Sequence, residues 1–156
     1  MPTDGYIYIV KNGDAGVVIS TAITLLQIKA GAAALEVIRA VLTQGLSETS
    51  TQEQVQLLRK TAAATVTSFT PRKTNPGNPS SLAVGGTAAT GYTGSAEGTD
   101  GEVLIDEGFN ILNGWLWTPV RPGEIWVPQG GIIAMKFPVA PASGTWRATL
   151  VARELQ

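Results

Sequence analysis

The chain reads as all-β and as a single domain, on three observations. Apolar and polar residues alternate in Leu26-Gln27-Ile28-Lys29, in Gln54-Val55-Gln56-Leu57 and across Thr145–Leu150, as they do along strands with one wet face. The 18 Gly and 9 Pro punctuate these runs with turn chemistry. A length of 156 residues suits one core that buries roughly two-thirds of the unfolded surface. Charged residues make up 15%, against about 25% in an average globular chain, so the surface is one that expects a partner.

Tyr6–Val10 is an aromatic and β-branched run that forms either the first strand or part of an N-terminal arm over residues 1–16, and Asn12-Gly13 favours a tight turn after it. Val17–Lys29 follows and ends at Gly31. Residues 32–63 carry conflicting signals. Leu35, Ile38, Val41 and Leu42 recur at helical spacing, Gly45 suits a helix end, and Ser50-Thr51-Gln52-Glu53 matches a capping box. Against a helix, Val37, Ile38 and Val41 are β-branched and Gln54–Leu57 alternates. These local signals balance. An antiparallel sheet accommodates both segments if Gly45–Gln52 is the loop joining Leu35–Gln44 to Glu53–Thr61.

Arg-Lys-Thr occurs twice, at Arg59-Lys60-Thr61 and Arg72-Lys73-Thr74, around the small residues Ala62-Ala63-Ala64. Paired as a hairpin, these flanks set four cations at one end of the sheet, as a solvated edge that resists strand addition or as a contact for an acidic partner. Residues 71–101 are rich in Gly, Pro, Ser and Thr and read as a long loop or partner-binding excursion, with a weak strand over Thr87–Thr93. Regularity returns at Glu102–Ile105. In Phe109–Trp117, read as one strand, Phe109, Ile111, Asn113, Trp115 and Trp117 share a face and Leu112 and Leu116 share the other. Both faces want cover, so a second chain is expected on one of them. Glu124–Phe137 reads as strand, turn and strand around Pro128-Gln129-Gly130-Gly131, and with Phe109–Trp117 and Trp146–Leu155 it predicts a β meander.

The chain has neither His nor Cys, which removes imidazole bases, Ser-His-acid triads, thiolate nucleophiles, disulfides and the commonest zinc ligands. Asp100, Glu102, Asp106 and Glu107 offer a carboxylate pair for glycoside hydrolysis, and Trp115, Trp117 and Trp126 offer stacking surfaces for sugars. Acids in turns and tryptophans in strands are more simply solvated groups and core, so no enzymatic activity is expected. Thr99-Asp100-Gly101-Glu102 lacks EF-hand spacing, and Gly85-Gly86 with Gly91 and Gly94 lacks the Lys-Ser/Thr of a phosphate loop. No metal or cofactor is expected. The formal charge of -1 argues against nucleic acid, and no window reaches the ~20 apolar residues of a membrane span. The N-terminus lacks the basic segment of an export signal.

Leu57-Leu58-Arg59-Lys60-Thr61-Ala62-Ala63-Ala64-Thr65-Val66-Thr67 and Gly85-Gly86-Thr87-Ala88-Ala89-Thr90-Gly91 form a pattern that resembles virion structural proteins of tailed bacteriophages. Gly108–Trp115, Ile125-Trp126-Val127-Pro128 and Gly130–Ala134 extend the resemblance to roughly residues 25–155. It implies a β-sandwich or jelly-roll component of the particle that forms homotrimers, and it tilts residues 32–63 towards strands. The function it implies is a capsid decoration (cement) protein, bound to the major capsid protein on the virion surface and assembled in the host cytoplasm. The other class it leaves open is a carbohydrate-binding or adsorption module of a tail or fibre. Candidate subunit or capsid contacts are Trp115, Trp117, Arg72 and Lys73.

Overall fold

The computed structural model describes residues 5–12, 16–21, 23–45, 49–87 and 97–155, and among these every regular element is a strand. In chain order they are β1 (Tyr6–Lys11), β2 (Val17–Ile19), β3 (Thr24–Lys29), β4 (Ala34–Gly45), β5 (Gln52–Ala62), β6 (Thr67–Phe69) and β7 (Arg72–Lys73). They continue as β8 (Val84–Thr87), β9 (Thr99–Asn110), β10 (Trp115–Trp117), β11 (Ile125–Val127), β12 (Ile132–Lys136) and β13 (Gly144–Leu155). Two antiparallel sheets pack face to face. The first runs β10-β4-β13-β1-β7, with β11 also on β4 and β2 also on β13, and the second runs β6-β8-β3-β12-β5-β9.

The pairing is nested. β1 pairs with β13, β3 with β12, β4 with β10 and β11, and β5 with β9, so the chain forms one long hairpin that is rolled into two sheets. This is the jelly roll, one of the all-β solutions to the exposed-edge problem. Residues 32–63 contain strands β4 and β5, so the strand reading holds, but the two lie in different sheets and do not pair with each other as one antiparallel sheet would have them. The capping-box residue Glu53 serves another chain segment, its carboxylate accepting a hydrogen bond from Ala142 N at 2.8 Å.

Four further expectations are corrected. The excursion over 71–101 is not a loop throughout: it contains β7 and β8 and the start of β9, while all but Thr87 of the expected weak strand Thr87–Thr93 lies outside the described residues. The two Arg-Lys-Thr triplets do not form a hairpin, because β5 lies in the second sheet and β7 is an edge strand of the first, paired with β1. Phe109–Trp117 is not one strand. Asn110 accepts from Asn113 N and Gly114 N, Gly114 takes φ 69°, and the chain turns a corner from β9 in one sheet to β10 in the other. The meander fails for the same reason: Pro128 O accepts from Gly131 N, Gly130 takes φ 74°, and the turn carries β11 of the first sheet to β12 of the second.

Alternation places one side of every strand between the sheets. Trp146 on β13 is fully buried, with the Phe137 ring 4.8 Å away and the Phe109 ring meeting it edge-on at 6.1 Å. Two buried polar groups tie strand ends to the body. Glu154 Oε2 accepts from Ser81 Oγ, Leu82 N and Ala83 N, and Asn12 bridges β13 through Trp146 O and Ala148 N. Because Trp146 fills the centre of the core, Trp146→Ala should cost about 3–5 kcal/mol in equilibrium urea unfolding. A loss below about 1 kcal/mol would contradict this packing.

Candidate interaction surface

The side of the first sheet that faces away from the core is readable as rows, because residues opposite each other on antiparallel strands share a face. One row is Ile7, Arg153, Glu36 and Trp126. The next is Arg72, Ile9, Val151 and Arg39, and a third is Lys11, Thr149, Val41 and Leu116. Arg147 extends the face along β13 opposite Thr43. Among the described strands none packs on this side. Trp126 is 50% exposed and Leu116 58% exposed, large apolar side chains that a finished surface would seldom leave open together.

The charge on this face is one-sided. Among the described strand residues, Lys11, Arg39, Arg72, Arg147 and Arg153 lie on it with one acid, Glu36, which pairs with Arg153 at 2.9 Å, while Lys11 and Arg72 have further interactions of their own. The acids gather elsewhere. β9, the edge strand of the second sheet, carries Asp100, Glu102, Asp106 and Glu107. Lys60 and Lys136 of neighbouring strands pair with Asp100 and Arg59 pairs with Glu102 at 3.5 Å, so Asp106 and Glu107 give this margin its excess of negative charge. This acidic margin adjoins the cationic face, because Arg59 donates to Trp126 O at 2.8 Å and Trp115 Nε1 donates to Glu107 at 2.7 Å across the gap between the sheets.

The outer side of the second sheet is built differently, since the chain folds back over part of it. Gln27 exchanges hydrogen bonds with the backbone of Ala64, and a Cβ on Gly86 would lie 2.3 Å from Val66, so these strands are covered. This is why Gln27 is buried and the half-exposed reading of Leu26–Lys29 fails. Gly98 crosses Ala62 and Ala63 with φ +71°, where a Cβ would lie 2.3 Å from a carbonyl oxygen. Beneath this crossing Lys60 has a fully buried side chain, donating to Asp100 at 2.5 Å and to Glu97 O at 2.7 Å. Glu97 in turn accepts from Thr24 N and Oγ1, and Lys136 also binds Asp100.

Each carboxylate of the β9 cluster has its own partner. Burial alone pushes the Asp100 carboxyl up, but hydrogen bonds from Lys136 and Lys60 and their positive charge hold it below the ordinary value. Gln54 and Gln56 donate to Asp106 and lower it as well. Both shifts run opposite to what a general acid requires. Asp106 also lines an open cleft of about 650 Å³ with Gln52, Glu53, Gln54, Gly108, Val139 and Ala140. No aromatic side chain lines that cleft.

Of the expected contact residues, Arg72 and Lys73 lie exposed on β7, Arg72 on the outer face of the first sheet opposite Ile9. Trp115 is only 6% exposed and belongs to the core, so it is corrected as a surface contact. Trp117 is partly buried against the same core. Both apolar faces of the expected Phe109–Trp117 strand are explained by the corner at Asn110–Gly114, which turns Phe109, Ile111 and Trp115 inward and leaves Leu112 and Leu116 outside. The tryptophan trio of the sugar reading is not one platform: Trp126 alone is well exposed. The sequence signal for the face that sequence reasoning missed was the alternation of Arg and Thr with apolar residues in Thr145–Leu150.

Comparison with known proteins returns no family model, no curated protein and no solved structure that matches this chain.

The Lys60 cluster makes stability pH-dependent with a definite sign. The Asp100 carboxyl is depressed in the folded state, so its contribution is present above the ordinary value of 3.8 and is lost as pH falls through the lower folded value. Asp100→Asn should cost about 1–2 kcal/mol at neutral pH, less than a fully buried pair because about a third of the Asp100 side chain meets water. Urea unfolding of both proteins across this acid range checks it: the two stabilities should converge as the pH drops, and a constant gap would refute the assignment.

Proposed function

We propose that the chain is a non-enzymatic virion structural protein, a capsid decoration (cement) protein that works as a homotrimer on the major capsid lattice. The observation that carries the reading is the outer face of the first sheet. It is broad, rich in half-exposed β-branched residues and cations, and carries Leu116 and Trp126 in the open, which suits a face covered by protein. The jelly roll supports it by analogy, since viral capsid domains use this architecture, although architecture alone does not set function. The resemblance of residues 25–155 to tailed-phage virion proteins points the same way. Partnered carboxylates on β9 favour a structural role over hydrolysis. The protein assembles in the host cytoplasm and resides on the capsid surface.

Trp126 favours one second reading. Its exposed ring lies in the same cross-strand row as the Glu36–Arg153 ion pair, an aromatic surface with polar planar neighbours, which is the kind of site that holds a sugar ring. The protein would then be an adsorption module of a tail or fibre.

Copy number in purified particles separates the two: hundreds of copies are expected of a cement protein, and a handful would sink that reading. Co-sedimentation with capsids lacking the protein gives the binding arm. Trp126→Ala should weaken capsid association at least about tenfold if it lies near the centre of an interface. Unchanged capsid binding together with lost glycan binding would favour the adsorption module.

A further inference from the structure

The cationic face of the first sheet and the acidic β9 margin are complementary in charge and belong to the same chain. We propose that they meet between copies, the face bearing Arg39, Arg147 and Trp126 on one copy taking the margin bearing Glu102, Val103 and Asp106 on the next. This rests on the reading of that face as a protein-docking surface and names its occupant as a second copy of this chain.

Symmetric alternatives are disfavoured by the same charges. Two β9 margins set edge to edge bring Asp and Glu against Asp and Glu, and two cationic faces set together bring Arg against Arg. The β9 ladder also breaks register at Leu57/Leu58, Leu58/Lys60 and Lys60/Ala62, so the edge is not the straight template that strand addition uses. A head-to-tail contact joins unlike surfaces. It also has apolar substance, because Val103 is 45% exposed on the margin while Trp126 and Leu116 are exposed on the face.

Size and geometry agree. A stable contact covers about 800 Å² per partner, about a tenth of the 7660 Å² surface. A sheet side five strands wide and as deep as the 12 residues of β13 measures about 24 by 40 Å, which offers area of that order. The hydrogen bonds from Arg59 to Trp126 O and from Trp115 to Glu107 place margin and face on adjoining sides of the sandwich. A head-to-tail contact closes into a ring when its rotation closes and extends as a filament when it does not, and the homotrimer of the proposed function corresponds to the closed case.

The experiment uses the full chain in sedimentation velocity and light scattering at low and high salt. Wild type should form one discrete closed oligomer at low salt, weakened by raised ionic strength. Arg39→Glu with Arg147→Glu, and separately Glu102→Lys with Asp106→Lys, should each weaken association at least about tenfold. The chain carrying all four changes should regain it. Neutral Arg39→Gln and Glu102→Gln variants give the same readout with smaller changes should a reversal fail to fold. A wild type that stays monomeric at high micromolar concentration, an oligomer indifferent to both reversals, or a fourfold variant that fails to recover would each overturn the proposal. The two readings fail separately: a monomer that still coats capsids defeats the ring and leaves the decoration role, whereas a ring that never binds capsids does the reverse.

Discussion

The ladder between β4 and β13, running from Gly45 opposite Thr145 to Ala34 opposite Leu155, is the constraint on which the rest depends. Once those two strands pair, β1 can reach the sheet only on the far side of β13, and β10 and β11 only on the far side of β4. The second sheet repeats the logic, with β12 between β3 and β5. Trp146 sits on this ladder and plugs the space between the sheets. One change of register there would send Trp146, Ala148, Leu150 and Ala152 to the solvent side and Arg147 and Arg153 into the core, so burial on one side enforces the pairing.

The two outer sides of the sandwich end up unequal because of where the hairpin has its tip. The segment between β5 and β9 crosses the second sheet, adds β6 and β8 to its far edge and lends β7 to the first. A buried ammonium is tolerated under this crossing only because Asp100 and the Glu97 carbonyl complete its hydrogen bonds. The first sheet receives no such cover from the described strands. Its cations and apolar residues therefore remain an unfinished surface, and the acids that would balance them lie around the corner on β9.

Strands were legible where one side is wet, as in β13, and Gly and Pro marked their ends, whereas over β4 and β5 the helix and strand signals balanced. Legibility failed where the chain changes sheets. A corner such as Asn110–Gly114 leaves the apolar pattern unbroken, since residues on both arms still point to one core, so Phe109–Trp117 reads as a continuous strand and Trp115 as half outside. It failed again under the excursion, where Gln27 and Lys60 look solvated in sequence and are buried by segments far along the chain. Gly85-Gly86 was the visible trace of that cover. A Cβ on Gly85 would lie 2.7 Å from Phe69 and one on Gly86 would meet Val66, so both sides of β8 are approached closely. For the docking face, β7 with Arg72 was visible as a basic triplet, but its place beside Ile9 depends on a pairing across some sixty residues that no local pattern encodes.

The nested pairing also governs how the molecule comes into being. β1 and β13 stand at opposite ends of the described chain yet bond along their whole length from Tyr6 opposite Glu154 to Lys11 opposite Thr149. Contacts this distant in sequence must close the largest loops before any of them repays the lost entropy, which makes for slow, late and concerted folding. During synthesis β1 waits with an unsatisfied edge until β13 has been made. The pool of folded chains is thus limited by how fast this outermost pair closes, as well as by how fast the chain is made.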